Sequence, residues 1–193
     1  GVLAIDPFAG FEMDYPKGRS RRVILTKTDI SELYIACENR GERALLSLAY
    51  GCGLRVGEIE KVNREDIRIG QGLVIVENGK NGKHRAVPIS GGVAGDLARQ
   101  LERLEAGKPF LRNSKGDRLR SFTAQKWLKR LAQRAGMTKL VTAHVLRHSI
   151  ASHLLAEGLE VESVRVFLGH ALLATTEIYT QVKEVQIREM MEV

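Results

Sequence analysis

TAHVLRH, residues 142–148, joins the fold of this chain to its chemistry. Thr142 is an N-cap residue ahead of an apolar-periodic run, so a helix is expected over 143–157. Leu146, Ile150 and Leu154 recur every fourth residue and form its buried stripe. His144 then lies in the first turn. Arg147 follows one turn on, at the edge of the stripe on the side toward His144, so the two can face one ligand. The free N–H groups and positive dipole end of a helix N-terminus suit a phosphate. The same dipole disfavours an imidazolium, which leaves His144 neutral and able to accept a proton. His144 and His148 are four apart, a spacing that also fits a metal. However, no glutamate stands in an H-E-x-x-H position, and the arginine between the two histidines repels a cation.

Outward from this helix the chain is mostly helical. Thr26 and Asp29 form a capping-box start for a helix through Ile30, Leu33 and Tyr34. Apolar patterning predicts further helices over 42–50, 56–62, 93–105 and 123–135, with shorter pieces over 162–168 and 175–179. The period changes to two over 72–76 and 84–89, which read as strands. NGKNG (residues 78–82) joins them and carries two Asn-Gly hairpin signals. The expected fold is therefore mainly α with a small antiparallel β-sheet. Residues 1–22, with Pro7, Pro16 and the basic run KGRSRR, read as a linker leading in from something missing. Residues 23–181 read as one domain. Residues 182–193 read as a C-terminal tail whose apolar positions suit a short helix.

Two further segments carry candidate functional groups. GCGLRVGE, residues 51–58, ends a helix on glycines and presents Arg55 on a turn. Arg55 is either a solvated arginine paired with Glu58 three residues on, or a second guanidinium aimed at a phosphate and held by that glutamate. LGH, residues 168–170, is followed nine residues later by Tyr179 in TTEIYT.

Composition bounds the setting. A chain of 193 residues fits one domain, and 44% hydrophobic residues supply a core. Thirty Lys+Arg against 23 Asp+Glu give a net charge of +7, a sign that attracts polyanions. Cys37 and Cys52 form no C-x-x-C pair, which disfavours a zinc ribbon or redox motif. They read as buried thiols, consistent with a reducing cytoplasm. The longest apolar stretch, residues 44–54, falls short of the roughly 18 that a membrane span needs.

GLRxGE, a lysine-bearing hairpin, HxLRH, LGH and a late tyrosine occur in this order over about 26–182. This set resembles the tyrosine recombinase, or phage integrase, family. The resemblance implies catalytic roles for Arg55, Lys80, His144, Arg147, His170 and Tyr179. Lys83 lies close to Lys80, and spacing does not choose between them. By this reading the two arginines clamp the phosphate oxygens, Tyr179 attacks phosphorus, and His144 accepts its proton. The lysine protonates the departing 5′ oxygen, and His170 hydrogen-bonds a phosphate oxygen. The resemblance implies strand exchange on double-stranded DNA, with other copies of the chain as partners in a DNA-bound tetramer. It implies no small-molecule substrate, no metal and no other cofactor, because a phosphotyrosine conserves the bond energy for religation. By the same resemblance, residues 1–22 are the linker from a missing N-terminal DNA-binding domain, residues 23–181 a catalytic domain, and the tail a segment exchanged between protomers. A type IB topoisomerase-like enzyme shares the chemistry, and a catalytically silent DNA-binding module shares the scaffold.

Overall fold

The computed structural model describes residues 23–78 and 83–169. Seven α-helices and one three-stranded antiparallel sheet occupy these residues. α1 (Lys27–Ile35) begins at the expected capping box: the Thr26 hydroxyl accepts from the Asp29 amide at 3.1 Å, and the Asp29 carboxylate accepts from the Thr26 amide at 2.7 Å. α2 (Arg40–Leu46) is capped by Asn39. The helix expected over 42–50 does not continue as one. From Ser47 to Gly51 the backbone widens into a π-helical turn, in which the Cys52 amide reaches back five residues to the Ser47 carbonyl. A run of Leu, Ala and Tyr is buried whichever winding it takes, so the apolar pattern does not distinguish them.

The π-turn releases the chain at Gly53, whose φ of +58° lies in the left-handed region. A Cβ there would meet Leu168 at 2.8 Å and Phe167 at 3.3 Å, so only glycine lets this turn lie against the end of α7. α3 (Val56–Lys61) starts two residues after Leu54, with Arg55 as its N-cap.

β1 (Ile67–Arg68) pairs with β2 (Leu73–Asn78), and β2 with β3 (Lys83–Pro88). The period-two segments are thus strands as expected, and β1 is an addition too short to leave a pattern in the sequence. Val74 and Val76 of β2 face Val87 and Arg85 of β3, and the three valines are buried. Arg85 therefore occupies an inward position.

α4 (Gly91–Leu101) packs against α2, where buried Asp96 accepts from Arg43 Nε at 2.5 Å and from the Ser47 hydroxyl at 2.9 Å. α5 (Ser121–Arg134) has no side-chain cap of its own. Glu60 of α3 supplies one from outside, accepting from the Ser121 amide at 2.7 Å and its hydroxyl at 2.6 Å. Those bonds and the Arg120 guanidinium pull the Glu60 carboxyl down to about 2.

α6 (Ala143–Ala156) is capped by Thr142 as expected, and Leu146, Ile150 and Leu154 are all buried. It packs on the π-turn and on α7 (Val161–Leu168). The Ser149 hydroxyl accepts from the Leu25 amide at 2.9 Å, which fastens the start of the described chain to the middle of α6. Trp127 lies partly buried against the core, and Ala124, Leu128, Leu131 and Ala132 of its helix are buried, whereas Phe122 is exposed. Cys52 is buried, and burial pushes its thiol up to about 12. Cys37 is half-buried, a departure from the fully buried thiol expected. The linker over 1–22, the hairpin turn over 79–82, the helical piece over 175–179 and the tail over 182–193 lie outside the described residues.

Candidate active site

The site is built where the N-terminus of α6, the turn before α3, strand β3 and the end of α7 meet. Arg147 is buried in the second turn of α6. Its Nη1 donates to the Gly53 carbonyl at 2.5 Å, and its Nη2 to the Leu168 carbonyl at 2.6 Å. One guanidinium thus ties the Arg55 turn to the last residue of α7. These two carbonyls fix the plane of the fork before any ligand arrives, which is the preorganisation that charge stabilisation requires.

Arg55 sits at the mouth, with its side chain 46% exposed. Both readings of it hold in part. The Glu58 carboxylate accepts from the Arg55 amide at 2.8 Å and from its guanidinium at 3.1 Å, and the head remains accessible to solvent. Glu58 is not a surface partner, however. Its side chain is 10% exposed, and Arg85 forks onto it with contacts of 2.7 and 3.1 Å. Arg147 Nη1 lies 4.0 Å from Glu58 Oε2. Burial alone would raise the Glu58 carboxyl, but the Arg85 hydrogen bonds and charge, with the Arg55 amide and guanidinium, hold it below the ordinary carboxylate value. One carboxylate among three arginines leaves the cluster cationic, which suits an anionic ligand.

His144 occupies the first turn of α6 and is exposed. Partial desolvation, then the charges of Arg147 and Arg55, keep its imidazole below the ordinary value. The direction matches that expected from the helix dipole, but the causes are burial and the neighbouring guanidiniums. His148, one turn on, is buried, and its ring meets that of His144 edge-on with centroids 4.7 Å apart. His153 serves packing of another kind: its Nδ1 lies 2.8 Å from the Tyr50 hydroxyl, far along α6 from His144.

The structure therefore brings together Arg55, His144 and Arg147 of the six residues singled out in the sequence. Lys80, His170 and Tyr179 lie outside the described residues. Two participants were not anticipated. One is the bridging position of Glu58 between Arg55, Arg85 and Arg147. The other is Arg85 itself. Its signal was present in β3, because Arg85 alternates in phase with Val87, and an arginine on an inward strand face needs a buried counter-charge.

The described residues thus form a helix-rich domain with a small antiparallel sheet, holding arginines from a GLR turn and an HxLR helix beside one helix N-terminus. The phage integrase family model matches residues 24–185, and the chain belongs to that family. Among curated relatives, the tyrosine recombinase XerA of Pyrococcus horikoshii is 34% identical over 172 residues, covering 87% of this chain and 60% of its own length. The tyrosine recombinase XerD of Pseudomonas aeruginosa is 32% identical, covering 98% of this chain and 67% of its own. A crystal structure of XerA recombinase matches with a TM-score of 0.74 at 28% identity, over 90% of this chain and 65% of that one. The chain thus spans about three fifths of the length of the first of these relatives.

Proposed function

We propose that this chain acts in a site-specific DNA recombinase, cleaving and rejoining strands through a 3′-phosphotyrosyl intermediate on Tyr179. The observation that carries the reading is the convergence of Arg55, Arg147 and His144 beside the N-terminus of α6. A phosphodiester repels nucleophiles, and its transition state spreads further negative charge over the non-bridging oxygens. Arg55 and Arg147 answer that charge with oriented N–H donors. His144, kept neutral, accepts the phenolic proton as the Tyr179 oxygen bonds to phosphorus. The bond to the 5′ oxygen breaks, and Lys80 of the hairpin protonates that oxygen. His170 donates to a phosphate oxygen. Religation runs the same steps backward from a 5′ hydroxyl. The names of the relatives favour recombination over supercoil relaxation by a type IB topoisomerase-like reaction.

Double-stranded DNA is the proposed substrate, met in the cytoplasm, and Lys/Arg contacts to its backbone supply much of the affinity. No helix among the described residues is long and apolar enough to cross a membrane. Other copies of the chain are the proposed partners, in a tetramer on DNA. Residues 182–193 are the proposed exchanged segment, so gel shifts on a two-site DNA should lose cooperativity when the chain is cut after Lys183.

The function is tested by trapping. A nicked duplex lets the short 5′-hydroxyl fragment diffuse away after cleavage, so the covalent complex accumulates on a denaturing gel. We expect the adduct to form undiminished in EDTA, because guanidiniums and a lysine do the work of a Lewis acid here. An adduct lost with chelator and restored by Mg²⁺ would contradict the mechanism.

The pH dependence follows from His144. Its value is held below 6.5, so the base stays neutral at and above that pH. The single-turnover cleavage rate is expected to change little as pH falls from 8 to 6.5 and to drop below that. The same sign holds for stability. A histidine lowered on folding contributes stability above its unfolded value, and this is lost as pH falls through the folded one. A rate already falling between pH 8 and 7, and unaffected by His144→Gln, would remove His144 from the proton transfer.

A further inference from the structure

Resting on the recombinase reading, we infer that Arg85 is a positioning residue, which neutralises Glu58 so that Glu58 can aim Arg55 without cancelling its charge. Arg85 touches no substrate in this account and acts through two neighbours.

The first neighbour is Glu58. Its two oxygens both bond Arg85, and both also hold Arg55, one through the guanidinium and one through the backbone amide. The Arg85 side chain is only 8% exposed, whereas that of Arg55 is 46% exposed. A buried carboxylate takes its charge balance from the partner that is buried with it and bound by two bonds. Arg85 is that partner. Arg55 is left as an oriented cation facing solvent, where a phosphate can reach it. Without Arg85, the Glu58 carboxylate would turn its full charge on Arg55 and Arg147, the two groups the phosphate needs.

The second neighbour is Gly169. Its φ is +69°, and a Cβ there would lie 2.5 Å from Arg85 Nε and 2.6 Å from Cδ. The Arg85 side chain thus lies directly under the residue that closes α7, immediately before His170 and ten residues before Tyr179 in the sequence. Among the described residues, the buried Arg85 Nε has no hydrogen-bond partner, so the close packing is kept without that bond. Arg85 also belongs to β3, which Lys83 opens and which begins three residues after Lys80 in the sequence. One side chain therefore joins β3, the Arg55 turn and the residue that closes α7.

The test uses the whole chain and nicked duplexes that the wild-type protein itself selects, as covalent adducts, from a pool of randomised sequence. Arg85→Met keeps the length of the side chain and removes its charge and fork. We expect its single-turnover adduct formation to slow by roughly 10–100-fold, with half-saturating DNA changed by less than about 3-fold, because the loss falls on the transition state. Arg85→Lys restores the charge with a single contact and should recover part of the rate. Combining Arg85→Met with Glu58→Gln should cost no more than the worse single variant, since the two act as one unit. Gly169→Ala, which displaces Arg85 from the other side, should also slow cleavage.

Thermal melting is recorded for each variant so that rates refer to folded protein. Should Arg85→Met not fold, Arg85→Lys decides, and a wild-type rate in it overturns the inference. So would a wild-type rate in Arg85→Met, a lysine variant no faster than the methionine variant, or additive losses in the cycle. A wild-type chain that forms no adduct with any member of the pool overturns the recombinase reading itself, a result distinct from all of these.

Discussion

Tyr179→Phe is expected to abolish the covalent protein–DNA adduct while leaving DNA binding nearly intact. Only the phenolic oxygen is removed, so the cationic contacts to the DNA backbone are untouched. An unactivated phenol, with a pKa of about 10, is a weak nucleophile at neutral pH. Cationic neighbours favour the ionised form of a phenol, and Arg55, Arg85 and Arg147 form a net positive cluster around one carboxylate. Denaturing gels report the adduct, and gel shifts report binding. An adduct of wild-type yield in Tyr179→Phe would assign the nucleophile to another residue.

Arg147→Ala is expected to damage both reaction and fold. Chemically it removes a preorganised donor, a loss that typically costs about 3–4 kcal/mol in the barrier, or roughly 10²–10³ in rate. Structurally it leaves the Gly53 and Leu168 carbonyls without the guanidinium that bridges them. A buried polar group left unsatisfied costs about 1–3 kcal/mol, a large share of a total stability of about 5–15 kcal/mol. Arg147→Lys keeps the charge, but an ammonium does not reproduce the planar fork between two carbonyls, so it should recover stability only in part. Urea unfolding and single-turnover cleavage, measured on the same preparations, separate the two effects. A folded Arg147→Ala variant that cleaves at the wild-type rate would reduce Arg147 to a strut.

What the sequence made legible was whatever is decided within a few residues. Thr26 with Asp29, and Thr142 ahead of Val145, are caps whose partners lie three positions away, and both helices begin there. Leu146, Ile150 and Leu154 share a face by period alone, and that face is buried. The period-two segments on either side of NGKNG pair in the expected antiparallel sense. Long-range partners were out of reach. Nothing local connects Glu60 to the N-terminus of α5, or the Leu168 carbonyl to Arg147. Arg85 lies between these cases: its inward phase on β3 was readable, but the identity of its counter-charge required the fold. Of the site residues, His144 and Arg147 could be placed relative to one another by helix period, whereas Arg55, Lys80, His170 and Tyr179 rested on motif order.

The wide turn at Ser47–Gly51 makes this part of the chain sensitive to counting. An α-helix advances about 100° and 1.5 Å per residue. The π-turn takes one residue more than a regular turn to come round. Were the same residues to rewind as α-helix, everything beyond them would be rotated by nearly a third of a revolution. Gly53 would lose its fit against Leu168, and Arg55 would leave the side of the molecule where α6 begins. Winding, more than composition, is therefore what variation in this segment must preserve.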